Sequence, residues 1–495
     1  MNQRVSDIIT IEDIKSWNNG DLISIQAGTG AGKSYFVMNL LYAIAKAENK
    51  KILYLVNRIR LYEQFQMEIE KSKKSDTIDL FTYQKIEKSG LYDKNKNHFK
   101  NEYKYVVCDE FHYFLTDASF NKTTDISLRT VLNSINQIRI FMSATSLAIF
   151  DYLVNCKGLN MKKYTIDYKS THIDKVYFYE NDDTVKKFLY ELDPNERVIY
   201  FCHSAVDAHN LSKEFNNSLF NCSKSNKLNK HVNNEKIESM LDKERFDEQI
   251  LFTTHTMDNG VNIIDSTLRY IIVDMEDFDV MIQCIGRKRI ETKDDKLTVL
   301  IKKRSNKSIG GRITQINKKM KMADYLLEHT TDEFIRKYPR HNHGDMIYDK
   351  LEVNKGAYKV VNDLMYHKCL YDIETFEEIL KEEDGYEKMV LKLLQKEDYE
   401  MLEDYYDAST ASDYLEANKG KKMFKDEQKK FKQWLDENLI NVPKKKNGTI
   451  GLPNLNKFLK DNSYPFVIKS KKETRGENRN LHYWKIVKVI RKKSK

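Results

Sequence analysis

The stretch Ala27-Gly28-Thr29-Gly30-Ala31-Gly32-Lys33-Ser34 holds the residue types best able to do chemistry. Its glycines let successive backbone N–H groups converge on one point, and a lysine followed by a hydroxyl closes the run. A loop of this kind, set at the start of a helix, cradles a polyphosphate. The amides meet the anionic oxygens, Lys33 reaches the β- and γ-phosphates, and the Ser34 hydroxyl suits Mg²⁺. A pair of acids, Asp109-Glu110, follows further along the chain. The aspartate can hold Mg²⁺ directly or through water, and the glutamate can take a proton from an attacking water. Adjacent acids are common by themselves. Downstream of a phosphate loop, and in this order, they point to nucleotide hydrolysis.

Those groups must be held by strands. Leu22 to Ile25 reads as a buried strand entering the loop, and Tyr35 to Ala47 as a helix leaving it. Apolar runs at Lys51–Asn57, Leu80–Gln84 and Tyr103–Asp109 follow, then Ile138–Met142, which ends in Ser143-Ala144-Thr145. Strands alternating with helical patterns predict a parallel, doubly wound α/β sheet, with ligands at the carboxyl ends of its strands. The pattern repeats after a linker within 150–172. Val198–Cys202 runs into His203-Ser204, Ile250–Phe252 into Thr253-Thr254, Tyr270–Val273 into Asp274, and Leu297–Ile301 closes the series. The second set has no phosphate loop of its own. From about residue 312 the chain is charged and helical, with Met, Leu, Tyr and Phe spaced as one buried face. Around Leu455–Leu459 a short helix is expected, followed by strands at Phe466–Ile468 and His482–Val487 with a Lys- and Arg-rich tip between them. Helix and hairpin resemble a winged-helix module whose cations suit a phosphate backbone.

Composition sets the limits. The chain has 495 residues, 40% hydrophobic and 32% charged, with a formal net charge of +9. Length alone predicts several domains. No run approaches the roughly 18 apolar residues of a membrane span, and the N-terminus has no signal pattern, so a cytoplasmic chain without a membrane partner is expected. The six cysteines are scattered and form no C-x-x-C pair, which predicts free buried thiols and no cysteine-bound metal. Charge is uneven: residues 371–420 hold five Lys and Arg against sixteen Asp and Glu, and residues 421–495 hold twenty-two against seven. The basic end is either a polyanion-binding surface or a solvated charged face.

Taken together, AGTGAGKS, DEFH, SAT and QCIGRKR resemble, in order and spacing, four motifs of the superfamily 2 helicases of the DExH type. In that branch the loop's first glycine is often alanine, as at Ala27. The resemblance, over about residues 10–305, implies two tandem RecA-like domains binding ATP and Mg²⁺ in the cleft between them. It implies boundaries of 1–160 and 170–305, leaving a helical accessory region at 306–440 and a basic, winged-helix-like module at 441–495. Residues 27 to 34 and Gly260 would then bind nucleotide, and Ser34 and Asp109 the metal. Lys33, Asp109, Glu110, Gln283, Arg287 and Arg289 would be catalytic, and His112, Ser143 and Thr145 would couple hydrolysis to movement. His112 would do so toward Gln283. The familiar form of the last motif is Q-x-x-G-R-x-G-R, whereas Gln283-Cys284-Ile285-Gly286-Arg287-Lys288-Arg289 brings the second arginine one position early. Either Arg289 serves as the finger through an altered turn, or Arg287 acts alone. Arg58, Thr82, Ser204 and Thr254 match nucleic-acid-facing motifs less specifically. The expected partner is nucleic acid, with DNA favoured by the tail and RNA open. The expected activity is an ATP-dependent helicase or translocase. A duplex translocase that does not unwind, and a nucleotide-gated binding switch, are the alternatives.

Overall fold

The computed structural model describes residues 4–28, 30–92, 102–119, 121–144, 147–166, 172–255, 261–290, 292, 295–339, 346–352, 356–438, 444, 450–462, 464–475 and 478–489. Two compact units divide it: residues 1–176 with 193–398, and residues 177–192 with 399–495.

The first unit opens with strands β1 (Leu22–Ala27), β2 (Lys51–Val56), β3 (Ile78–Thr82), β4 (Tyr103–Asp109), β5 (Ile138–Ser143) and β6 (Lys162–Ile166). They form one sheet in the order β3-β2-β4-β5-β1-β6. All pairings are parallel, with Ile23 opposite Ile140 and Ile25 opposite Met142. Alternate residues feed opposite faces, as the pleat requires. Ile52, Tyr54 and Val56 join one core cluster, Leu53 and Leu55 the other. Burial on both faces explains why these strands read as continuous apolar runs. The edge strand β6 lies beyond the expected boundary at residue 160. Its Lys162 and Lys163 are exposed and only Ile166 is buried, so it lacks the apolar pattern that marks the other strands.

A second sheet is built from β7 (Ile173–Tyr179), β8 (Arg197–Phe201), β9 (Ser218–Phe220), β10 (Ile250–Thr253), β11 (Leu268–Val273) and β12 (Leu297–Lys302). From β12 its order runs β12-β11-β8-β10-β9, again with parallel pairing. The two tandem parallel sheets with their helices are RecA-like domains. The following segment is not purely helical, because β13 (Ile347–Glu352) and β14 (Gly356–Val361) pair antiparallel between helices Asn306–Glu328 and Asp363–Leu380. Ile347 pairs with Val361 there.

In the second unit the short β15 (Glu400–Met401) pairs with Tyr177 and Phe178. Helix Leu452–Asp461 precedes the hairpin of β16 (Phe466–Lys472) and β17 (His482–Lys488). Leu455, Leu459, Phe466, Ile468, Trp484 and Ile486 share one core. Lys469, Lys471 and Lys472 stay exposed at the hairpin.

Candidate functional site

The phosphate loop leaves β1 at the centre of the first sheet and enters the helical run that starts at Lys33. Gly30 and Gly32 take φ of 83° and 81°, a left-handed conformation that side chains resist, which accounts for glycine at both positions. The Lys33 ammonium folds back into the loop, 2.9 Å from the Ala27 carbonyl and 3.4 Å from that of Gly28. It also lies 3.9 Å from Glu110. The cation therefore rests on loop carbonyls at the place where phosphate oxygens would draw it.

Strand β4 delivers the acids. It ends at Asp109, and Glu110 turns sharply away with φ of 47°. Such a backbone is costly for a residue with a side chain, and strain of this kind concentrates at functional positions. Tyr54 of β2 donates a hydrogen bond to Asp109 Oδ2 at 2.8 Å and also engages the Ser34 hydroxyl. Tyr83 donates to the Asp109 carbonyl at 2.8 Å. Ser34 and Asp109 are thus linked through one phenol, and a hydroxyl with a carboxylate fits a hard cation that keeps most of its waters. Burial and the neighbouring Glu110 charge push the Asp109 carboxyl up. Burial works against ionised Glu110 as well, yet Lys33 and His112 hold its carboxyl below the ordinary range. His112 Nδ1 lies 2.8 Å from Ser143 Oγ and 3.2 Å from Glu110 Oε2. Burial opposes its protonation, but the Glu110 carboxylate wins and raises its pKa.

The second domain brings its arginines to the same place. Helix Phe278–Ile285, capped by Asp277, carries buried Gln283 and ends before Gly286. The chain then runs extended, because Ile263 donates to the Arg287 carbonyl and Arg289 donates to that of Ile263. In an extended segment residues two apart share a side. Lys288, on the other side, is buried in an ion pair with Asp295. The guanidinium of Arg287 is buried, giving Nε to the Gln283 carbonyl at 2.9 Å and Nη1 to that of Val261 at 3.2 Å. Arg289 is held by Asn262 Oδ1 at 2.8 Å, and its Nη1 lies 3.5 Å from where a Cβ on Gly30 would stand.

Lys33, Ser34, Asp109, Glu110, His112, Ser143 and Arg289 therefore gather at one centre, with the Arg287 charge acting on Glu110. The four expected nucleic-acid contacts have local partners. Arg58 is forked onto the buried carboxylate of Asp117. Thr82 accepts from the Lys85 amide, Ser204 caps the helix Ala205–Glu214, and Thr254 is buried. Thr29, Thr145 and Gly260 lie outside the described residues. Tyr54 and Asp117 escape a reading of motifs. For Tyr54 the available signal is a phenol in a buried strand, whose hydroxyl must find a partner.

Residues 3–147 match the family model of the type III restriction enzyme res subunit. The first domain is of the superfamily 2 helicase type. An ATP-hydrolysing, helicase-type enzyme is the class this match supports. Among solved structures the chain is similar to Mss116p bound to ssRNA and AMP-PNP, at 16% identity and a TM-score of 0.43, over 66% of this chain and 80% of that one. Saccharomyces cerevisiae Dbp5, bound to RNA and ADP BeF3, gives 14% identity and a TM-score of 0.42 over 59% and 81%. Mycobacterium smegmatis helicase Lhr, bound to ssDNA and AMP-PNP, gives 12% and 0.41 over 61% and 46%. No curated protein sequence matches the chain. Among the described residues, no helix is long and apolar enough to cross a membrane.

Proposed function

We propose that the protein couples ATP hydrolysis in the cleft between its two RecA-like domains to movement along a nucleic-acid strand, with DNA the favoured track. The observation that carries this reading is the approach of Arg289, from the second domain, to Gly30 of the phosphate loop in the first. A site completed by both domains makes hydrolysis depend on how they meet, and an arginine supplied this way contributes ~10³–10⁵ in rate.

The residues have distinct tasks. Lys33 exchanges the Ala27 and Gly28 carbonyls for phosphate oxygens. In doing so it leaves Glu110, which loses a nearby cation and becomes the stronger base for the attacking water. Ser34 and Asp109 would hold Mg²⁺, which when bound would supply charge neutralisation at the phosphates. His112 bridges Glu110 and Ser143, so a change in Glu110 is felt at the end of β5. A nucleic-acid track is favoured by the exposed lysines of the C-terminal hairpin and the basic charge of residues 421–495, which suit a phosphate backbone. The resemblance of that hairpin and the helix before it to a winged-helix module is the ground for preferring DNA.

The test is ATP turnover with single-stranded DNA, duplex DNA or RNA at fixed salt, with Glu110→Gln as control. Stimulation by DNA and loss of turnover in the variant are expected. Stimulation by RNA alone overturns the DNA assignment, and unstimulated turnover overturns the coupling. Strand-displacement and triplex-displacement assays then separate unwinding from duplex translocation.

A further inference from the structure

Away from the nucleotide cleft, three ligand-bearing side chains meet where helix Asp363–Leu380 packs on the first domain. Cys156 Sγ lies 3.4 Å from His367 Nδ1, and His367 Nε2 lies 3.5 Å from Asp151 Oδ2. One donor atom from each of the three falls within 4.8 Å of the other two, the group of this kind found among the described residues.

We propose that Cys156 Sγ and His367 Nδ1 hold one Zn²⁺ ion, with Asp151, which faces the Nε2 edge of the ring, turning its carboxylate to join them and water completing the coordination. Local structure is arranged for it. Tyr152–Cys156 is a π-helical turn following helix Leu147–Asp151, and Lys157 donates to the Tyr152 carbonyl at 3.0 Å to close it. In an α-helix residues five apart stand about 140° apart, at about 100° per residue. The wider turn swings Asp151 and Cys156 toward one side, and such turns occur frequently at functional sites. His367 Nε2 also lies 3.3 Å from the Ala148 carbonyl. A proton placed there leaves Nδ1 with its lone pair toward Cys156, the backbone-anchored orientation usual for a metal-binding histidine. Tetrahedral Zn²⁺, with bonds of about 2.3 Å to sulfur and about 2.0 Å to nitrogen, sets those two atoms about 3.5 Å apart. The observed 3.4 Å needs little adjustment.

The donor set selects the metal class. Sulfur and imidazole ligands disfavour Mg²⁺ and Ca²⁺, which take oxygen, and favour a borderline-soft ion such as Zn²⁺. A thiolate and a carboxylate balance its two charges around a neutral imidazole. Access is open, since Cys156 is exposed and Asp151 also borders an open cavity with Asn155 and Lys163. Scattered in sequence, the ligands form none of the spacings by which zinc sites are read, and so escaped the expectation of no cysteine-bound metal. The site is independent of the proposed ATPase function.

The metal-free full-length chain should bind one equivalent of Zn²⁺ and be stabilised against heat by it. With Co²⁺ as probe it should show a thiolate-to-cobalt charge-transfer absorption, which an ion held by Ser34 and Asp109 cannot give. Cys156→Ser, an exposed and conservative change, should abolish that absorption and weaken Zn²⁺ binding by more than about tenfold, the lower figure for losing only an outer partner of a ligand. His367→Gln should weaken it likewise, while Cys369→Ser should keep both signals. A chain that binds no stoichiometric Zn²⁺, or a cobalt–thiolate absorption that survives Cys156→Ser, overturns the proposal.

Discussion

Arg287 and Arg289 stand two residues apart, and the structure gives them different surroundings, so their loss should be felt in different assays. Arg289 reaches the phosphate loop, while the Arg287 guanidinium donates to two main-chain carbonyls, those of Gln283 and Val261, and its charge also acts on Glu110. Arg289→Ala should lower ATP turnover by ~10³–10⁵, the range for an arginine finger, with nucleotide affinity little changed. Arg289 is only partly buried whereas Arg287 is buried, so the folded state should lose less. Arg287→Ala removes two charge-assisted hydrogen bonds and leaves both carbonyls buried. At roughly 1.5–3 kcal/mol for each, the second domain loses about 3–6 kcal/mol. For a domain of this size that lowers its melting temperature by roughly 10–20 °C. The assays are single-turnover hydrolysis at saturating ATP and differential scanning calorimetry on the same preparations. A stable Arg287→Ala protein with turnover as low as expected for Arg289→Ala, beside an active Arg289→Ala, would refute the assignment and return the finger to Arg287.

Four further outcomes follow from the same geometry. Tyr54→Phe removes the phenol linking Asp109 to Ser34, and should raise the Mg²⁺ concentration for half-maximal ATPase by about 10–100-fold with folding intact, the usual effect of losing a ligand's outer partner; an unchanged Mg²⁺ titration contradicts it. Lys288→Met strands the buried Asp295 carboxylate and should cost about 3–5 kcal/mol in chemical denaturation, and pairing it with Asp295→Leu should recover much of the loss. His172 is held down to about 4 by burial and by the nearby Lys288 and Lys396 charges. The unfolded chain therefore binds that proton first, so its stabilisation is complete above about pH 6.5 and is lost as pH falls toward about 4, on the order of 1–3 kcal/mol; His172→Gln should flatten the stability profile across that window. Truncation after residue 420 should weaken nucleic-acid affinity and reduce its salt dependence, and an unchanged slope would make the tail a solvated surface.

Sequence carried the parts of the site whose residues are chain neighbours of a strand end. AGTGAGKS and Asp109-Glu110 could be read because the flanking runs are buried on both faces and so are uniformly apolar. What escaped reading depends on contacts between distant segments. Arg289 could be named as a candidate, but its approach to Gly30 depends on the path that the Lys288–Asp295 pair helps fix. Arg58 was expected at nucleic acid, and the structure forks it onto Asp117, a buried acid with no motif around it. Strand β6 is an edge whose lysines face solvent, so its pattern is that of a loop. The β13–β14 hairpin hides in a stretch whose charged residues resemble the helices on either side.

Helix Asp363–Leu380 shows why the accessory region belongs with the ATPase core. His367 packs against Ala148, Asp151 and Cys156 of the first domain. The next residue, Lys368, is partly buried and pairs at 2.8 Å with Asp277, the cap of the second-domain helix that carries Gln283. Consecutive residues of one helix thus hold the two halves of the nucleotide site, and Asp372 at 3.1 Å completes the Lys368 cluster. Removing one partner of a partly buried ion pair leaves the other charge poorly solvated, so the second-domain attachment is not easily given up. Any opening of the cleft must then carry the helix with the second domain and strain its hold on the first, or rotate about Lys368. Lys368→Met separates these cases. If the helix restrains the cleft, the variant should hydrolyse ATP with less dependence on nucleic acid, whereas a purely structural lysine would lower stability and leave the stimulation ratio unchanged.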